Sequence, residues 1–170
     1  LVVFPGNIIH FEVGRKKSIA AIEWAMSNNN AVFLTAQQDM DVEDPGFKDL
    51  YAYGVVAEVK QVLRVSDELV KVLVEGKYRA KLLTLDSSGR FLLASTKAAA
   101  LRGTKSVDSA RVEALVRSVK EAFEEYLSLN PRLSKDVVYT IITNEDAALL
   151  CDYIPANLLL KYTDKQALLN

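Results

Sequence analysis

The stretch that begins at residue 51 reads Tyr51-Ala52-Tyr53-Gly54-Val55-Val56-Ala57-Glu58-Val59-Lys60 and continues in the same texture to residue 65. From Ala57 to Lys60 apolar and charged residues alternate, as in a strand with one buried face. The alternation slips at Gln61-Val62-Leu63, which indicates a bulge or a strand buried on both faces. Ser66-Asp67-Glu68 supplies turn residues, and residues 69–74 return as a partner strand. This stretch therefore predicts the hairpin on which a β-rich fold is built.

Several other short apolar runs in the first hundred residues are also typical of strands. They lie at residues 1–4, 8–13, 31–36, 80–85 and 90–96. Asp86-Ser87-Ser88-Gly89 separates the last two as a turn. Many short strands joined by turns favour a closed or nearly closed barrel-like sheet.

One helix interrupts the predicted strands, over residues 18–28. Ile19, Ile22 and Met26 fall on one stripe and are expected to face the core. Trp24 lies roughly 180° around the helix from that stripe, at about 100° per residue. It is therefore expected to be exposed or to pack against a second element.

The hydrophobic period becomes helical after residue 107, and Asp108 is a suitable N-cap. The predicted inward stripes of three successive helices are Val112, Leu115, Val116, Val119, Phe123, Tyr126 and Leu127; Val137, Val138, Ile141 and Ile142; and Ala147, Leu150 and Ile154. Thr143 or Asn144 is the predicted cap of the third helix, and Asp164 opens a fourth that ends at Asn170. These helices should pack as a small bundle. We predict an α+β chain with a β-rich lobe over residues 1–104 and a helical lobe over 105–170, the boundary falling near residues 101–106.

Charge and composition exclude several classes of protein. The chain has 21 Lys and Arg against 22 Asp and Glu, so it lacks the basic excess on which nucleic-acid binding mostly depends. Its single cysteine, Cys151, cannot form an internal disulfide, which favours a reducing compartment. No apolar run reaches the ~20 residues of a membrane span, and no signal peptide is recognisable. The expected location is the cytoplasm.

The sequence carries no pattern that predicts a catalytic or metal site. His10 is the only histidine, and Cys151 follows two leucines in a predicted helix, where a thiol behaves as a small hydrophobe. The only candidate for a phosphate loop fails, because Gly76-Lys77 is followed by Tyr78. The acidic stretch from Asp39 lacks the glycine and glutamate that a calcium-binding loop requires at its sixth and twelfth positions. We expect no catalytic residue, no metal and no cofactor in this chain.

Short motifs along the whole chain resemble the amino-terminal, substrate-binding domain of the bacterial Lon ATP-dependent proteases. In order they are Leu1-Val2-Val3-Phe4-Pro5-Gly6, Val13-Gly14-Arg15-Lys16-Lys17-Ser18, Ala25-Met26, Phe33-Leu34, Ala36-Gln37, Gly54-Val55-Val56-Ala57, Val70 through Ala80, Asn157-Leu158 with Leu160, and Lys165-Gln166. None is diagnostic alone, but their joint order and spacing are specific.

This resemblance implies a PUA-like β-rich pseudo-barrel followed by a helical lobe, acting in substrate recognition and assembly rather than catalysis. The implied partners are unfolded or tagged proteins, the ATPase and Ser-Lys peptidase domains of the same enzyme, and further copies in a homo-hexamer. The full-length enzyme would use ATP and Mg²⁺. Two alternatives remain: a stand-alone PUA-like module that binds RNA or a small ligand, and a purely structural oligomerisation domain.

Protein clients are captured through apolar patches, so exposed aromatic residues are the candidate substrate-binding positions. Trp24 is the first candidate, because it lies opposite the core stripe of its helix. Phe47, Tyr51 and Tyr53, which follow the acidic stretch, form a second, although ordinary strand packing also accounts for them.

Overall fold

A computed structural model describes residues 1–99, 108–130 and 133–170. The chain divides into two compact units, Leu1–Ala99 with Leu160–Asn170, and Ala100–Leu159. The first is β-rich and the second is helical, so the α+β class is confirmed. The predicted boundary near residues 101–106 lies outside the described residues.

The β-rich unit is built on one antiparallel sheet. Its elements in chain order are β1 (Ile8–Val13), α1 (Lys16–Met26), β2 (Ala31–Leu34), a 3-10 turn (Phe47–Asp49), β3 (Tyr53–Ser66), β4 (Leu69–Asp86), β5 (Leu93–Ala98) and, from the carboxyl end, α5 (Tyr162–Leu169). The strand order is β1-β4-β3-β2, and β5 also pairs with β4. The predicted hairpin is thus its centre, and the register shift between Val59 and Gln61 confirms the predicted bulge.

Strand β4 is one continuous strand of 18 residues, not the two strands predicted at 69–74 and 80–85. Its first part pairs with β1, from Val70 to Glu75, and its last part pairs with β5, from Ala80 to Asp86. Gly76 pairs with Ala57 of β3 and Tyr78 pairs with Val56, so Lys77 is the extra residue of a bulge and the strand continues through it.

The amino-terminal segment is buried but does not form the strand predicted at residues 1–4. The side chains of Val2, Val3 and Phe4 lie in the core. The chain then turns at Gly6, whose φ of 74° is in the region that favours glycine. Gly6 donates to the Gly76 carbonyl (2.8 Å) and Gly76 donates to the Asn7 carbonyl (2.9 Å), so the segment crosses β4 at Gly76.

The core of this unit lies on one face of the sheet, against α1. It contains Val13, Ile19, Ile22, Ala57, Val59, Val70, Val72 and Val74. The prediction that Met26 faces the core is wrong, since Met26 is exposed and Ala25 is buried. Within the described residues no pairing joins β1 to β2, so the barrel-like sheet is open between these strands.

The helical unit contains α2 (Ser109–Leu129), α3 (Lys135–Thr143) and α4 (Ala147–Asn157). Asp108 caps α2 as predicted, whereas Asp146, not Thr143 or Asn144, caps α4. The core is centred on Val116, Phe123, Ile141 and Leu150. Leu115, Val119 and Ile142 were predicted to face inward but are exposed. Three helices offer a smaller interior than the predicted four, so their apolar stripes are only partly covered.

Helix α5 packs in the β-rich unit, which corrects the predicted helical lobe of residues 105–170. Gln166, 1% exposed, donates through Nε2 to the Tyr53 carbonyl at 2.9 Å. Arg79 donates through Nε to the Leu169 carbonyl at 3.1 Å. The sequence predicts a helix that opens at Asp164, whereas α5 begins at Tyr162, and the sequence does not predict which surface the helix covers.

Replacing Gly76 with alanine tests the crossing of the amino-terminal segment over β4. A Cβ atom at this position would collide with the Phe4 carbonyl oxygen, whereas one at Gly89 would lie 3.8 Å from its nearest neighbour, the Phe91 carbonyl. We expect Gly76→Ala to lower the free energy of unfolding by about 1–3 kcal/mol in urea titrations, the usual cost of overpacking. Gly89→Ala is the control, and an equal loss in both variants would contradict the crossing.

Candidate functional site

Trp24 lies on the surface of α1, on the side away from Ile19 and Ile22. Its side chain is 45% exposed, and its ring lies 5.5 Å from the ring of Phe91, tilted by 38°. Phe91 belongs to the connection between β4 and β5. Both possibilities left open for Trp24 are therefore realised, because one part of the indole packs on a neighbouring loop and the rest is open to solvent.

An ionic cluster holds the Phe91 loop against α1. Glu23 accepts from the guanidinium groups of Arg64, on β3, and of Arg90, which precedes Phe91. The distance from Arg90 Nη2 to Glu23 Oε2 is 3.4 Å. The charged groups of this cluster thus come from three separate parts of the chain: α1, β3 and the loop that contains Phe91.

The second set of predicted aromatic residues does not form a single patch. Phe47 is exposed on the 3-10 turn, whereas Tyr51 and Tyr53 are half-buried. The Lys81 ammonium lies 5.9 Å from the Tyr53 ring centroid, and the Tyr53 carbonyl accepts from Gln166. In the described part of the β-rich unit, Trp24 makes its ring contact with Phe91 and not with any of these three.

The β-rich unit contains an apolar cleft of about 1070 Å³ on the inner face of the sheet. Its wall on one side includes Phe11 and Val13 of β1, and on the other Val32 and Leu34 of β2. Sequence reasoning did not find this cleft. The alternating apolar residues of both strands indicate that each strand has a buried face. They do not indicate that the two strands remain apart.

The acidic stretch forms part of the rim of the cleft. Lys17 Nζ of α1 lies 2.9 Å from Asp44 Oδ1, and Arg15 Nη1 donates to Gln37 Oε1 at 2.6 Å. Gln37 in turn donates to the Val42 carbonyl at 2.8 Å. The basic residues at the start of α1 therefore fasten this loop beside the opening.

Four alternating charges form a cluster on β3 and β4. Lys60 Nζ lies 2.8 Å from carboxylate oxygens of both Glu58 and Glu75, and Lys77 Nζ lies 2.9 and 2.7 Å from the same two groups. Hydrogen bonds from Lys60 and then Lys77 lower the pKa of Glu75 to about 2. The same pairing lowers the pKa of Glu58 and raises that of Lys77.

The described residues contain no group of three or more His, Cys, Asp and Glu side chains that could hold a metal ion. His10 lies on the solvent side of β1, and the Cys151 thiol is exposed on α4 rather than packed as a small hydrophobe. None of the helices in the described ranges is both long and apolar enough to cross a membrane.

The open sheet of the β-rich unit and the three helices described in the second unit define a chain of the α+β class. The chain belongs to the substrate-binding domain family of the ATP-dependent protease La (Lon), whose family model matches residues 1–170. The predicted resemblance to this family is therefore confirmed.

Individual relatives agree with this assignment. The chain is 38% identical over 169 residues to the Lon protease of Escherichia coli (strain K12) and 39% identical over 170 residues to Lon protease 3 of Sorangium cellulosum (strain So ce56). Each match covers 99% of this chain and about a fifth of the relative, 21% and 20%. The N-terminal domain of the Mycobacterium avium complex Lon protease shares the fold, with a TM-score of 0.74 at 18% identity over 99% of this chain and 84% of that one.

The contact between Trp24 and Phe91 can be tested by fluorescence, because Trp24 is the only tryptophan. Phe91→Ala removes the ring that shields one part of the indole, so we expect the emission maximum to move to longer wavelength. Phe47→Ala is the control and should leave the spectrum unchanged. An unchanged maximum in Phe91→Ala, with the fold intact by circular dichroism, would contradict the contact.

The cluster of four charges on β3 and β4, which includes Glu75, predicts that the stability of the fold depends on pH. Because folding lowers the pKa of Glu75 from its ordinary 4.5 to about 2, its stabilising effect is complete above pH 4.5 and is lost as the pH falls towards 2. Glu75→Gln should therefore unfold at lower urea than the parent at pH 6, and the difference should disappear near pH 2. Glu68→Gln, at the exposed tip of the hairpin, is the charge-matched control. A difference that persists at pH 2 would argue against the ionic origin.

Proposed function

We propose that this chain recognises unfolded or tagged proteins for a longer, Lon-type ATP-dependent serine protease. The observation that carries the proposal is the apolar cleft of the β-rich unit, in a chain whose whole length matches the family's substrate-binding domain. In this proposal the enzyme works in the cytoplasm as a homo-hexamer. ATP and Mg²⁺ serve its ATPase domain, and peptide bonds are cut in its Ser-Lys peptidase domain.

Apolar capture suits the chemistry of unfolded chains. A folded protein hides most of its large apolar side chains, whereas an unfolded one presents them along an extended backbone. A cleft lined by Phe11, Val32 and Leu34 offers those side chains an apolar surface.

The RNA-binding alternative is not supported. The family match extends over residues 1–170, and the formal net charge is −1. Among the positive groups, Arg64, Lys60 and Lys77 are already paired with carboxylates on the sheet and on α1. These three cations are therefore not free to bind a phosphate backbone.

Trp24 is proposed as an additional apolar contact for clients. Its exposed part lies beside Phe91, so an apolar client side chain could cover two rings at once. Large aromatic residues that become desolvated dominate many protein interfaces. Phe47, Tyr51 and Tyr53 remain a weaker proposal, because only Phe47 of the three is exposed.

Binding of a permanently unfolded, fluorescently labelled protein to the 170-residue chain tests the proposed function. We expect a saturable isotherm that changes little between low and high salt, because apolar contacts are not screened by ions. Absence of binding at high micromolar concentration would contradict the proposal for this chain. Binding that disappears in salt would contradict apolar capture.

Substitution of Trp24 tests its contribution. Trp24→Ala should weaken client binding by about 5- to 30-fold, the effect of removing a 1–2 kcal/mol aromatic contact. The melting temperature should change little, because much of the ring is already in water. Tyr139→Ala, which truncates an exposed ring of the helical unit, is the matched control. Equal affinities for the two variants would exclude Trp24 from the site.

A further inference from the structure

The open side of the sheet exposes the backbone of β1. Within the described ranges of the chain, β1 pairs only with β4 and β2 pairs only with β3. An unpaired edge presents a row of amide and carbonyl groups that can accept another strand.

The register between β1 and β4 shows which backbone amide and carbonyl groups of β1 face away from β4, towards the open edge. Gly76 donates to the Asn7 carbonyl at 2.9 Å, so Asn7 is in a hydrogen-bonded pair with β4. Such pairs alternate along an antiparallel ladder. Backbone groups of Ile9, Phe11 and Val13 therefore face β4, whereas those of Ile8, His10 and Glu12 face the open edge.

A second hydrogen bond supports this alternation independently. Val59 of β3 donates to the Asn30 carbonyl at 2.7 Å, so Val59 directs its backbone towards β2. Its partner on β4, Val74, must then direct its backbone away from β3 and towards Ile9 of β1. The ladders on both sides of β4 thus give the same assignment for β1.

The open edge lies beside the apolar cleft. Phe11 and Val13 line the cleft with their side chains and belong to the same strand whose outer amides are open. In a strand added beside β1, every second side chain would point to the same face as Phe11 and Val13. Those side chains would enter the cleft, and the intervening ones would face solvent beside His10 and Glu12.

We propose that an extended segment of a protein client binds by adding a strand to the open edge of β1. This inference rests on the proposed function and specifies how the client is held. Backbone hydrogen bonds would provide affinity that does not depend on sequence, and the cleft would select segments with apolar residues at alternate positions. A lipid or a small apolar molecule could fill the cleft but could not satisfy the row of edge groups.

The β1 edge suits this role better than the β2 edge. The outward amide of Ala31, on β2, is already bonded to Asn29 Oδ1 at 3.1 Å. Strand β2 also has only four residues and packs against α1. Strand β1 has six residues, which at roughly 3.3 Å each gives a client segment about 20 Å of pairing.

Backbone methylation of the ligand tests the inference directly. The probe is a labelled eight-residue peptide that alternates valine with serine or lysine, compared with two versions N-methylated at its odd or at its even amides. One of the two methylated peptides should lose about tenfold or more in affinity for the 170-residue chain, because its methyl groups replace the amide hydrogens that face β1. The other methylated peptide should bind nearly as well as the unmethylated parent. Equal affinity of all three peptides would overturn strand addition.

A substitution in the protein provides the matching test. His10→Pro removes one outward amide and leaves the bonds to β4 in place, since proline is tolerated at an edge whose N–H faces away from the sheet. It should weaken peptide binding by about tenfold, whereas His10→Ala, which keeps the amide, should bind within about twofold of the parent. If His10→Pro does not fold, the methylated peptides decide alone.

The outcomes separate this inference from the proposed function. An unfolded protein that binds, with no effect of N-methylation or of His10→Pro, would leave client capture intact and refute strand addition. Failure of every unfolded client to bind would refute both. Sedimentation that shows a dimer of the parent which the peptide does not dissociate, and a monomer for His10→Pro, would also overturn the inference.

Discussion

The ladder between β3 and β4 is the interaction on which the whole β-rich unit depends. Every other strand attaches to one of these two: β2 to β3, and β1 and β5 to successive parts of β4. The amino-terminal segment crosses β4 at Gly76, and α5 is fixed to Tyr53 and Arg79, farther from the hairpin turn. Loss of this ladder would leave no surface on which the remaining elements could fold.

The same arrangement explains why the sheet stays open. The outer side of β4 is divided between β1 and β5, and β2 covers only four residues of β3. The edges of β1 and β2 therefore remain separate, and the core face between them is accessible as a cleft. An opening of this kind would be a hazard in a protein that must avoid other chains. The proposed capture of unfolded polypeptides would use this opening directly.

The sequence predicted the local features of the fold better than their connections. Alternation at residues 57–60, the slip at Gln61 and the cap at Asp108 are local signals, and each is confirmed. Three features depend on distant partners instead: the continuity of β4 through Gly76, the packing of α5 on the sheet, and the exposure of Met26. A residue's own neighbours in sequence carry no information about which distant surface will cover it.

The candidate site shows the same limit. Helical geometry placed Trp24 opposite the core, as the structure has it, but nothing in the sequence linked Trp24 to Phe91, 67 residues later. The cleft could not be predicted, because an alternating strand looks the same whether its neighbour pairs with it or stands apart. The substrate-binding role was implied by the motifs that resemble the Lon domain, and the family match confirms that resemblance.

Amide hydrogen exchange of the 170-residue chain, with and without a saturating unfolded protein, tests the central claim most directly. The account predicts slower exchange on client binding at the outward amides of Ile8, His10 and Glu12, with little change at Phe11, which is already bonded to β4. Protection that appears only in the helical unit, with these three amides unchanged, would contradict it.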